Sequence, residues 1–220
     1  MNRRTFIGWT ALTGAAALGG LPAGASAQGA DRAYFELRRY LFDGAEKKQA
    51  FAAFLKDAAI PALHRLGVAP VGVFEAEAEP DHLYVLLPHA AIGSFAMLTE
   101  KLLEDETFLS QGAAVLDAPA SDPAYTRVEI SLFVAFRGMP RLEAPATGPD
   151  RVFQLRIYES PSVKTGQKKI EMFDVKEIEI FRKTGLNPVF FGEALAGTKI
   201  PNLTYMLGFD TAEAMEAAWE

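Results

Sequence analysis

The sequence predicts an α+β protein made of two copies of one β-α-β-β-α-β unit, the second cut short. Three observations carry that expectation. The first is a strand that occurs twice, as Tyr34-Phe35-Glu36-Leu37-Arg38-Arg39-Tyr40 and as Val152-Phe153-Gln154-Leu155-Arg156-Ile157-Tyr158, at an offset of 118 residues (155 − 37). The second is that the same offset carries Gly67 onto Gly185, Pro70 onto Pro188, Val71 onto Val189 and Glu75 onto Glu193. A strand, a turn and a second strand repeating in one register make an internal repeat. The third is the alternation within each copy, with Phe and Leu on one face and Glu or Gln, Arg and Tyr on the other. Such a strand has one face on a core and the other toward water or a polar cavity.

Taken in order, residues 1–27 read as an export leader. Arg3 and Arg4 precede Thr5-Phe6-Ile7, a short glycine-rich apolar stretch runs from Trp9 to Leu21, and Ala25-Ser26-Ala27 supplies an Ala-x-Ala cleavage pattern. The arginine pair resembles the twin-arginine signal, and the apolar stretch is too weak for a membrane span. Cleavage after Ala27 and a periplasmic or extracellular location are expected.

The first unit, residues 31–137, opens with a strand over Tyr34–Phe42 that stops at the turn pair Asp43-Gly44. A helix follows over Glu46–Leu66, with Phe51, Phe54, Leu55, Ala58, Ala62 and Leu66 on one stripe. Pro61 is expected to kink it and Gly67 to cap it. A strand over Val71–Glu75, the acidic turn Glu79-Pro80-Asp81 and a strand over His82–Leu87 come next, closed by Pro88. A second helix over Ala90–Leu103, a short helical or irregular stretch to Leu116 and a strand over Arg127–Phe136 complete the ferredoxin-like order. Residues 138–150, with Pro140, Pro145 and Pro149, form a linker.

The second unit, residues 151–220, repeats the first strand, a helix over Gln167–Thr184, a strand over Val189–Ala194 and a strand over Leu203–Phe209, with Tyr205 aligned on Tyr84. Asp210 or Thr211 should cap a last helix that turns Met215, Ala218 and Trp219 inward. The sequence ends before a fourth strand. The second repeat is therefore expected to be truncated, leaving Val152–Tyr158 with an unpaired edge.

Of the 220 residues, 50% are hydrophobic and 23% charged, an ordinary globular composition. The net charge of −6, without a basic stripe, argues against a nucleic-acid partner. There is no cysteine, which removes disulfides, thiolate metal sites and a Cys nucleophile. His64, His82 and His89 are the only histidines, and no Gly-rich phosphate loop, zinc motif or Ser-His-Asp spacing is present. No metal and no cofactor are expected.

The repeat resembles the NIPSNAP family. The residues that carry the resemblance are Phe35–Tyr40, the Ile60-Pro61-Ala62-Leu63 to Pro70-Val71-Gly72-Val73-Phe74 segment, Phe153–Tyr158, Thr204-Tyr205-Met206-Leu207 and Ala217-Ala218-Trp219, so that it covers about residues 31 to 220. It implies a dimeric α/β barrel arrangement, in which two four-stranded sheets close face to face with helices outside, formed within the chain or by homodimerisation. Animal members are mitochondrial, a setting from which the twin-arginine-like leader departs. The wider barrel superfamily includes haem-degrading and cofactor-free oxygenases.

In that arrangement Glu36, Arg38 and Tyr40 are expected to line one inner wall, and Gln154, Arg156 and Tyr158 its counterpart. A guanidinium and a phenol two residues apart offer donors to a carboxylate or enolate; the alternative is that Arg and Glu satisfy each other. Glu75 and Glu193 end matching strands and read as solvated ends. His64, beside Arg65, sits where a helix C-terminus favours it, although in haem-binding relatives a helix histidine can serve as axial ligand. His82 and His89 are expected to be exposed. The function expected is that of an exported protein, non-catalytic or binding a small molecule in a polar barrel interior. The alternative is a cofactor-free or haem-linked monooxygenase.

Overall fold

The structure, a computed structural model, describes residues 4–11, 32–146 and 148–219, the first of these by backbone course alone. It is an α+β fold whose antiparallel strands close into a barrel. The strands are β1 (Arg4–Ala11), β2 (Tyr34–Leu41), β3 (Gly72–Ala76), β4 (Glu79–His89), β5 (Arg127–Ala135), β6 (Val152–Glu159), β7 (Asn187–Ala196) and β8 (Asn202–Phe209). Around the barrel they run β1-β3-β4-β2-β5-β7-β8-β6, and β6 returns to β1. The first repeat thus supplies β5-β2-β4-β3, the ferredoxin-like order 4-1-3-2, and the second supplies β6-β8-β7. The seat of the second repeat's fourth strand, beside β6, is held by β1 from the other end of the chain. The edge of Val152–Tyr158, expected to be unpaired, is therefore paired over Arg4–Thr10. Arg3, Ala25 and Ala27 lie outside the described residues.

The strand alternation is as expected, but its faces are reversed. Phe35 and Leu37 of β2, Tyr84 and Leu86 of β4, Phe133 of β5, Phe153 and Leu155 of β6, Phe190 of β7 and Met206 of β8 pack together in the barrel interior. Tyr40 and Phe42 instead pack beneath the first repeat's helices with Phe51, Leu55 and Leu63. Glu36, Arg38 and Tyr40 therefore lie on the helix side of the sheet, not on the inner wall. Gln154, Arg156 and Tyr158 do likewise, Tyr158 packing against the second helix layer of Phe173, Ile178 and Phe181. The physical reason is that both faces of these strands are covered. A barrel of this size is filled by its own side chains, so the Phe-Leu face turns inward and the mixed face goes under the helices. The linker returns over one end of the barrel, where Ala33 N–H donates to Pro140, Glu143 N–H donates to Val189, and Ala146 joins the interior core.

The third strands also correct the sequence alignment. Arg38 faces Val85 across β2 and β4, and Arg156 faces Tyr205 across β6 and β8. The structural counterpart of Tyr205 is Val85, and Tyr84 answers to Thr204, one residue away from the sequence match.

Each repeat carries one long helix interrupted at the same place. In the first, α1 (Ala45–Phe54) passes through a π turn over Leu55–Ala59 into α2 (Ile60–Arg65). Helices α3 (Ile92–Ala96), α4 (Leu98–Leu103) and α5 (Glu106–Leu116) follow, α5 being capped by Asp105. In the second, α6 (Val163–Met172), capped by Ser162, passes through a π turn over Phe173–Glu177 into α7 (Ile178–Lys183). Helix α8 (Ala212–Ala217) starts at Thr211, whose hydroxyl accepts from the Ala214 N–H. Among the described residues no helix is long and apolar enough to cross a membrane.

Candidate functional site

The expected site residues form two networks between sheet and helices. In the first repeat Glu36 is sealed from solvent, with His89 Nε2 3.1 Å from one carboxylate oxygen and Arg38 Nε 2.6 Å from the other. His89 Nδ1 lies 3.0 Å from the Ser94 hydroxyl, and the Arg38 guanidinium reaches the Tyr40 hydroxyl at 3.3 Å. Burial alone would raise the Glu36 pKa, but the hydrogen bond with His89 and the charge of Arg38 outweigh it and hold the carboxyl below its ordinary value. His89, expected to be exposed, is fully buried. Its ring lies edge-on to Phe95.

The second network has an amide, Gln154, where the first has the carboxylate of Glu36, and it keeps the arginine. Arg156 Nε donates to the Gln154 side-chain carbonyl at 2.9 Å, its guanidinium approaches the Tyr205 hydroxyl at 3.4 Å, and Trp219 covers it with the ring centroid 3.7 Å away. Tyr158 and Tyr205 stack on each other. In both networks the side-chain oxygen of Glu36 or Gln154 meets a guanidinium donor, which is how buried polar groups are ordinarily satisfied.

The polar cluster that does face the barrel interior lies at the mouth away from the linker. Cross-strand pairing places Arg39 opposite Tyr84 and Glu129, and Leu41 opposite His82 and Arg127. These residues therefore share one face at one end. Arg39 donates to Glu79 at 3.1 Å, to Glu129 at 3.1 Å and to the Tyr84 hydroxyl at 3.1 Å, and the Tyr84 hydroxyl in turn donates to Glu79. Burial raises the Tyr84 pKa and the bond to Glu79 raises it further, so the phenol keeps its proton. Arg39, Leu41, His82, Arg127 and Glu129 line a cavity of about 310 Å³.

His82 is the unusual member. Its Nδ1 is buried and has no hydrogen-bond partner, the nearest acidic oxygen, on Glu79, being 4.0 Å away. Desolvation and then the charge of Arg39 push its pKa below the usual histidine value, so the ring is neutral at pH 7. A neutral imidazole with a free nitrogen, next to a guanidinium, can accept a proton or a hydrogen bond from a bound molecule.

This cluster has no copy in the second repeat. Ile157 stands where Arg39 does, Thr204 where Tyr84 does, and Asn202 where His82 does. Asn202 is fully engaged, donating to Thr198 and Lys199 carbonyls and accepting from the Thr204 hydroxyl. Arg39, Glu79, Tyr84, Arg127 and Glu129 were not singled out by the sequence pattern. The signal that could have found them is the second arginine of Leu37-Arg38-Arg39-Tyr40, which the repeat replaces by Ile157.

The histidines do not fit haem ligation. His64 is exposed at the end of α2, both ring nitrogens of His89 are engaged, and His82 borders a cavity near the lower end of the roughly 300–1,000 Å³ range of small-ligand pockets. Among the described residues no three His, Asp or Glu side chains gather into a metal-holding group.

Comparison with known protein families finds no match, and comparison with curated proteins finds none either. The barrel with its outer helices is, however, shared with solved structures of the dimeric α/β barrel type. One, from Lactobacillus acidophilus, is provisionally named a monooxygenase; it is 9% identical, with a TM-score of 0.60 over 86% of this chain and 82% of the other. A second, from Fusobacterium nucleatum and provisionally named in the same way, is 6% identical, with a TM-score of 0.57 over 85% and 80%. At these identities the likeness is one of fold.

Proposed function

We propose that this protein binds a small anionic molecule carrying a hydroxyl donor at the barrel mouth. The observation that carries the reading is the cavity bordered by His82, whose Nδ1 is buried and unpaired, and by Arg127, whose guanidinium has no hydrogen bond or ion pair among the described residues. The carboxylate would meet Arg127, and the ligand's hydroxyl would donate to His82 Nδ1. A buried acceptor left without a partner costs about 1–3 kcal/mol, which a matching donor returns on binding. Glu36, Arg38, Tyr40, Gln154, Arg156 and Tyr158 are then structural, anchoring helices to sheet. Kinship to the NIPSNAP family, supported by the repeated Leu-Arg-x-Tyr strand, and export by the leader bearing Arg3 and Arg4 belong to the same proposal.

The test compares 4-hydroxybenzoate with 4-methoxybenzoate, which keeps the carboxylate and loses the donor. Titration calorimetry should show saturable binding of the first, weaker binding of the second, and loss of the difference in His82→Phe. Equal affinity for both in the wild-type chain would remove His82 from ligand recognition.

A second reading is cofactor-free oxygenation at the same mouth, favoured by the names of the structural neighbours and by the neutral His82. The imidazole would take a proton from an activated methylene, Arg39 or Arg127 would hold the resulting anion, and O2 would convert CH2 to C=O with release of water. Oxygen uptake with anthrone that persists unchanged in His82→Phe would exclude this role.

A further inference from the structure

The register of β1 repeats that of β5. Arg4 to Thr10 run antiparallel to Tyr158 to Val152, just as Val128 to Val134 run antiparallel to Tyr40 to Tyr34. Trp9, Thr10 and Ala11 then face Ala76, Glu75 and Phe74 of β3, just as Phe133, Val134 and Ala135 face Ala194, Glu193 and Gly192 of β7. The offset of 118 that relates β2 to β6 also carries Phe74, Glu75 and Ala76 onto Gly192, Glu193 and Ala194. Both flanks of β1 therefore obey the symmetry of the repeat. Its sequence obeys it too, because Trp9-Thr10-Ala11 stands where Phe133-Val134-Ala135 stands, an aromatic residue and an alanine two apart.

From this we infer that the seam between β6 and β3 is a strand-acceptor site for an extended peptide, and that its cognate strand is the chain's own Arg4–Ala11. The backbone of β6 and β3 supplies the hydrogen bonds, as in other strand additions. The pattern Ile7-x-Trp9-x-Ala11, opposite Leu155 and Phe153 of β6 and Phe74 of β3, supplies the selectivity. Because the same residues include Arg4 of the leader, a molecule whose seam is filled holds Arg4 within the sheet. Use as a leader and use as a strand exclude each other, and cleavage after Ala27 would open the seam.

The test uses the full chain with a protease site placed between Ala11 and Arg32, cut after folding. The released N-terminal piece should co-elute with the body on gel filtration and be displaced by excess synthetic peptide of residues 2–13, while the same peptide with Trp9→Glu should fail to displace it. Amide exchange in Val152–Tyr158 should be slow before cutting and fast once the piece has been removed. Immediate separation of the piece, with exchange in Val152–Tyr158 unaltered, would overturn the inference. An independent check needs no cutting. In the intact chain the amides of Arg4–Ala11 should exchange slowly; exchange as fast as in urea would count against β1 as a strand.

Discussion

Glu36 and Gln154 occupy equivalent places in the two repeats, and their neighbours differ in step. Where Glu36 meets His89, Gln154 has Phe209 at the corresponding position of β8. The carboxylate and the imidazole appear together or not at all. Glu36→Gln alone leaves Arg38 and His89 facing a neutral amide, and breaking a buried pair from one side costs about 3–5 kcal/mol. The double variant E36Q/H89F rebuilds the second repeat's pattern in the first and should cost less than the sum of the two single changes. Urea denaturation of the four proteins measures this coupling; simple additivity would mean that the two residues act separately. Acid stability carries two further signatures. The Glu36 pKa is lowered in the folded state, so its contribution is complete above the ordinary value of 4.5 and disappears as pH falls through the folded value. The His82 pKa is lowered from 6.5, so the unfolded chain takes up that proton first and stability declines already below about pH 6.5. Thermal melts at stepped pH should therefore lose the upper part of the decline in His82→Phe and the lower part in Glu36→Gln.

The long helices show what an element inherits from its packing and not from its own sequence. Both contain a π turn, at Leu55–Ala59 and at Phe173–Glu177, and the offset of 118 superimposes the two. Pro61 was the expected source of irregularity in the first, because proline cannot donate within a helix. Its counterpart in the second is Glu179, which has a normal N–H, and the π turn is there all the same. What the two turns share is a buried residue at the same first position, Leu55 in one and Phe173 in the other, which points to packing and away from proline. Pro61→Ala should accordingly leave the π turn in place, which backbone chemical shifts over Phe54–Ile60 would report; conversion to a regular helix would restore proline as the cause. The same distinction explains how far the sequence could be read. Helix and strand positions were legible because the repeat presents each pattern twice, and the caps at Thr211 and Gly67 follow local rules. The strand faces were not, since Phe35 and Tyr40 are both buried and alternation alone does not say which side meets helices. The mouth cluster was hidden for the same reason, as Arg39, His82 and Glu129 become neighbours only once β2, β4 and β5 are in register.

At the scale of the molecule, the barrel is a near-symmetric scaffold with an asymmetric mouth. The two repeats place β2, β3, β6 and β7 in the same direction around the axis, so the linker covers one end and the other stays polar. At that end the first repeat contributes charge and a neutral histidine, and the second contributes Asn202 and Thr204, already bonded to each other. Closure by β1 also imposes an order in time. Arg4 pairs with Tyr158, 154 residues later in the chain (158 − 4). At synthesis rates of about 5–20 residues per second, β6 appears roughly 8–30 seconds after β1. Only the short flank at Phe74–Ala76 becomes available sooner. Throughout that interval Arg4–Ala11 lacks its main partner strand, and this is the window in which the proposed leader role would be exercised. The first strand made is therefore the one that waits longest for its partner, since no other strand pairing of the barrel spans so much of the chain.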